Sequence, residues 1–106
     1  MNTDRDADRW GALADGTRLA IVACLAEGPQ AVGQLASGLP VSRSAVSQHL
    51  KILKDAGLVE DTAAGTRRIY RLNPAALAAL RDQLDTYWQR ALAGYTEAAE
   101  APTEEA

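Results

Sequence analysis

The stretch Ser42–Val59, SRSAVSQHLKILKDAGLV, decides the fold of this chain. Val46, Leu50 and Leu53 recur at i, i+4 and i+7, the spacing that lines up apolar side chains along one stripe of an α-helix. Arg43, Ser44, Ser47, Gln48, Lys51 and Lys54 fall on the opposite arc. A helix divided in this way buries one side and presents hydroxyls, an amide and cations on the other. Short hydroxyl and amide groups reach base edges, and flanking Lys and Arg hold phosphates. The stretch therefore predicts a DNA recognition helix.

Working outward, residues 32–37 predict a short helix with Val32, Leu35 and Leu39 apolar. Gly38-Leu39-Pro40 breaks it and Ser42 caps the next. Two short helices across a tight turn make a helix-turn-helix over about residues 32–57. Ala56-Gly57 closes the second one. A hairpin is expected next: Leu58 to Thr62, a turn at Ala63-Ala64-Gly65, then Thr66 to Leu72. In its second strand Arg68, Tyr70 and Leu72 share one face, and Arg67, Ile69 and Arg71 the other. A hairpin at residues 58–72 with arginines beside its tip reads as a wing.

The flanks read as helices. One is expected from Thr3 to Ala14 with Trp10 and Leu13 on its apolar side. Another should run from the N-cap Asp15 to Leu25, with Leu19, Val22 and Leu25 inward. Asn73-Pro74 starts a long final helix reaching about Ala99. Along it Leu77, Leu80, Leu84, Trp88, Ala91 and Tyr95 step by three or four residues. The first turns of this helix are expected to fold back on the domain's own core. One small domain leaves little to cover the full stripe, however, and a second copy is the economical partner. Trp10, Leu80, Leu84, Trp88, Ala91 and Tyr95 are therefore the expected dimer interface. The fold class is mainly α with a small β-hairpin wing, about five helices and two strands. One domain spans residues 1–100, and residues 101–106 are expected to be a disordered tail.

Composition narrows the function. The 106 residues carry a net charge of −3, yet residues 41–72 hold six basic and three acidic side chains, a local +3. A basic segment between acidic flanks suggests a local anionic partner. The acidic N-terminus has no apolar run and no stretch reaches membrane-span length, so neither signal peptide nor membrane attachment is expected. The single cysteine, Cys24, excludes an internal disulfide framework and fits a reducing cytoplasm. One His, one Cys and no glycine-rich phosphate loop give no pairing of nucleophile and base, so catalysis is not expected.

The runs ALADGTRLAIVACLAEG, SRSAVSQHLKILKDAGLVE and GTRRIYRLNP resemble the arsenical-resistance-repressor (ArsR) family of winged helix-turn-helix regulators. The likeness covers about Trp10 to Leu92, and SQHLKILKDAGLV is its most specific part. The chain departs from the pattern at Gly16, where members commonly have Pro. The resemblance implies a homodimeric repressor on a partly palindromic operator, paired through the first and last helices. Its half-sites would lie about 34 Å apart. The resemblance also implies metal sensing, through a cysteine pair at the start of the third helix or through Asp, His and Glu on the last helix. Here Val32 to Leu39 contains no Cys, His, Asp or Glu, and residues 74–106 contain no His or Cys. The pairs Asp82/Asp85 and Glu97/Glu100 lack softer ligands. No metal and no other cofactor is expected.

Within the recognition helix Ser44, Ser47 and Gln48 are the expected base readers, Gln being able to pair an adenine edge in bidentate fashion. Arg43, Lys51 and Lys54 are the expected phosphate contacts, with Arg67 or Arg68 from the wing. His49 lies between the two faces and fits a hydrogen bond within the domain at least as well as a DNA contact. Tyr70 is expected to pack under the wing. Three alternatives stay open: a protein-interaction module, a repressor answering to a small organic or lipid ligand near Trp10, Tyr87, Trp88 and Tyr95, and one answering to oxidation of Cys24.

Overall fold

The computed structural model describes residues 3–100, with side chains described from residue 7 onward. The expected disordered tail at 101–106 lies outside the described residues. In chain order the elements are α1 (Thr3–Ala12), α2 (Gly16–Leu25), β1 (Gln30–Ala31), α3 (Val32–Ser37), α4 (Arg43–Asp55), β2 (Val59–Ala64), β3 (Arg67–Leu72) and α5 (Pro74–Glu100). The architecture is a winged helix-turn-helix, with α3 and α4 as the two helices and β2–β3 as the wing.

Helix α4 forms where its pattern predicts, and both its ends are chemically specified. The Ser42 hydroxyl accepts from the Ala45 amide at 3.1 Å, satisfying an otherwise orphaned donor. At the other end Gly57 adopts φ 80°. Its amide donates to the Lys54 carbonyl and the Leu58 amide to that of Leu53, both at 2.9 Å. This is a Schellman closure, and it aims Leu58 back at Leu53. Both side chains are fully buried, so the turn that ends the helix also delivers the chain into the core.

Val46, Leu50, Leu53 and Leu58 form that core with Ile21, Leu35 and the small side chains Ala56 and Ala76. Each fully buried Leu or Ile contributes roughly 1.5–3 kcal/mol relative to exposure. The face of α2 differs from the expected one. Ile21 and Leu25 are buried, whereas Leu19 is 51 % exposed. At 100° per residue Leu19 lies about 160° from Ile21, so both cannot face the core. Helix α1 also stops at Ala12, two residues earlier than expected, because Asp15 must sit outside a helix to cap α2 through the Arg18 amide at 3.0 Å.

The sheet has three strands rather than two, in the order β1-β3-β2, all antiparallel. The unforeseen β1 pairs Gln30 with Tyr70 and Ala31 with Ile69, tying the wing to the start of α3. The wing turn lies at Gly65-Thr66 rather than 63–65, since Ala64 pairs with Arg67. Gly65 at φ 65° supplies the positive dihedral this two-residue loop requires. Asn73 joins wing, recognition helix and α5. Its Oδ1 accepts from the Ala75 amide, and its Nδ2 donates to the Gly57 carbonyl, each at 3.1 Å.

Candidate nucleic-acid interface

The polar arc of α4 is open. Ser44, Ser47 and Gln48 are exposed, while Val46 and Leu50 on the opposite face are sealed in the core. Their side chains therefore project from a helix whose rotation is fixed by packing. Arg43 is exposed at the first turn and lies across Gly33 of α3, where a Cβ would come within 3.7 Å of its guanidinium. Lys51 pairs with Asp55 one turn away at 3.0 Å, both well exposed. Such an exposed pair contributes little to stability.

Two expected phosphate contacts are differently placed. Lys54 Nζ lies 2.9 Å from Asp61 and Arg68 Nε 2.7 Å from the same carboxylate. The Asp61 side chain is only 5 % exposed. The Lys54 ammonium and then the Arg68 guanidinium hold its carboxyl below the ordinary value of 3.8, against the opposing effect of burial. Arg67 turns instead to α3, where its guanidinium donates to Gln34 Oε1 at 3.1 Å. That oxygen also accepts from the Ala31 amide at 2.8 Å, so one side chain starts α3 and steadies the wing. Gly33, Gln34, Arg43, Thr66 and Arg67 border a groove of about 560 Å³ between α3 and the wing. Gln34 and Asp61 were not among the site residues read from the sequence. The only local signal for Gln34 is its capping spacing from Ala31.

His49 faces inward from α4. Its side chain is 22 % exposed, with Nδ1 3.9 Å from Asp15 and 3.3 Å from Arg18 Nη1. Arg18 can only donate, so in this contact Nδ1 is the acceptor. The same guanidinium donates to the Ala12 carbonyl at 2.6 Å. His49 thus belongs to the seam between α2 and α4. Tyr70 packs half-buried against the core, as expected, and so does Cys24.

The outer helices carry the second surface. The Trp10 indole donates to Gln83, joining α1 to α5. Leu80 is buried within this protomer and is not available to a partner. Trp88 at 61 % and Tyr95 at 77 % are exposed, as is Leu84. Among the described residues no three of His, Cys, Asp and Glu are grouped to hold a metal ion, and no helix is long and apolar enough to cross a membrane.

This arrangement matches known proteins. A family model described as bacterial regulatory protein, arsR family, matches residues 15–61. The HTH-type transcriptional regulator Rv2034 of Mycobacterium tuberculosis is 65 % identical over 98 residues, covering 92 % of either chain. The chain belongs to the arsR family. This ArsR-family regulator is also 38 % identical over 78 residues to the arsenical resistance operon repressor of Escherichia coli, covering 73 % of this chain and 67 % of that one. Among solved structures it resembles the homodimeric winged helix-turn-helix DNA-binding domain Mb0332 from Mycobacterium bovis, with a TM-score of 0.66 and 31 % identity. That likeness covers 94 % of this chain and 89 % of the other. The family is one of transcriptional regulators, not of enzymes.

Proposed function

We propose that this ArsR-family regulator is a sequence-specific repressor that binds a partly palindromic operator as a homodimer, without a metal. One observation carries the reading: Ser44, Ser47 and Gln48 stand open on α4 while its other face is fully buried. A helix held in this rotation enters a major groove with its amide and hydroxyls against the base edges. Arg43, Lys51 and Arg67 border them and supply salt-dependent phosphate contacts. Repression follows from occupying promoter DNA and excluding polymerase.

Dimerisation is supported by the apolar face of α5 and by the homodimeric Mycobacterium bovis domain. Leu84, Trp88 and Tyr95 are exposed on a helix of 27 residues. A second copy covers that face and sets two α4 helices about 34 Å apart. Metal independence is supported by the absence of Cys and His from residues 74–106 and of Cys, His, Asp and Glu from residues 32–39.

The test is binding to a labelled duplex from upstream of the protein's own gene, against a random duplex at moderate salt. We expect a preference of about a thousandfold or more, unchanged by zinc or by a chelator. Equal binding to both duplexes would overturn the reading, and a chelator effect would overturn its metal-independent part.

A further inference from the structure

Asp61 sits where cations from two different elements converge. Lys54 comes from the last turn of α4 and Arg68 from β3, and both end on this one carboxylate at 2.9 and 2.7 Å. Both cations are at least half exposed, while the carboxylate between them is almost fully covered. By contrast, the partners in the Lys51–Asp55 and Arg71–Glu60 pairs are all substantially exposed. On β2 Asp61 lies opposite Tyr70, which directs it and Arg68 to the same side of the wing. Removing the carboxylate would leave two positive groups facing each other across the junction of wing and recognition helix. Like charges at that distance repel, and both become available to a phosphate.

We propose that Asp61 is the positioning residue of the DNA-binding face: it clamps the wing to the C-terminal turn of α4 and withholds Lys54 and Arg68 from the DNA backbone. Phosphate contact then falls to Arg43, Lys51 and Arg67, and the wing meets the duplex at one set angle. The clamp trades nonspecific affinity for specificity. This rests on the DNA-binding reading above.

The experiment compares wild type, Asp61→Asn and Asp61→Glu on the upstream and random duplexes over a range of salt, with hydrogen exchange of the β2 and β3 amides in the free proteins. In Asp61→Asn the two released cations should steepen the slope of log affinity against log salt by about one to two. Affinity for the random duplex should rise, the specific-to-random ratio should fall about tenfold, and the wing amides should exchange faster. Asp61→Glu keeps the charge and should stay near wild type in slope. Parallel weakening on both duplexes with an unchanged slope would overturn the proposal, as would unchanged wing exchange. If wild type shows no preference between duplexes, the DNA-binding reading fails, while the exchange measurement still decides the clamp.

Discussion

Gln48 and Lys51 lie three residues apart on α4, yet their chemistry separates their roles. An amide can pair an adenine edge with two hydrogen bonds, whereas an ammonium is a point charge that any phosphate satisfies. Gln48→Ala should therefore change which duplexes are preferred. Lys51→Ala should weaken all duplexes alike and reduce the salt slope by about one. Binding to a panel of base-substituted duplexes distinguishes the two, and identical behaviour of both variants would reject this division. Asp61 gives a prediction that needs no DNA. Its folded carboxyl titrates below the ordinary value of 3.8, chiefly through Lys54 and then Arg68. The stabilisation is thus complete above the ordinary value and is lost as pH falls through the lowered one. The thermal-midpoint gap between wild type and Asp61→Asn should be open at about pH 6 and close towards about pH 2. Melting curves across that range check it. The open polar arc of α4 was legible in the sequence because it follows helical period alone. The role of Asp61 was not, because Lys54 and Arg68 lie on two other elements and only tertiary packing brings them together.

The elements depend on a few junction residues. Asn73 caps α5 with one end of its amide and holds the Gly57 carbonyl with the other. It thereby fixes where α5 leaves the Schellman turn of α4. Asn73→Ala removes both bonds and should cost about 1–2 kcal/mol, read as a lower denaturant midpoint with an unchanged slope. The sequence identifies this cap because Asn-Pro before an apolar-periodic run is a local signal. Strand β1 was missed for the converse reason. Two residues carry no alternation, and Gln30-Ala31 becomes a strand only because β3 presents an edge beside it. The wing turn was misplaced by about a residue, since Ala63, Ala64 and Gly65 are all compatible with a loop. The cross-strand register Ala64 to Arg67 settles it.

At the scale of the molecule the chain is extended, with a radius of gyration of 18.9 Å against about 13 Å for a compact domain of this length. Helix α5 is responsible, for it leaves the core after Leu80 and continues with its apolar side chains uncovered. Trp88→Glu should convert the proposed dimer to a monomer in sedimentation while leaving helical circular dichroism unchanged. Loss of the second half-site should then weaken operator binding by about a hundredfold or more. A dimer that persists with full affinity would place the interface elsewhere. The sequence by itself determined the helices with strong period or caps, the wing, the family and the polar arc of α4, because each depends on neighbours within a few residues. Tertiary structure alone decided that Leu19 faces out, that Leu80 belongs to the protomer's own core, that His49 turns to α2 and that Lys54 and Arg68 share one carboxylate. Those outcomes depend on which surfaces meet, and burial and long-range ion pairing follow no sequence period.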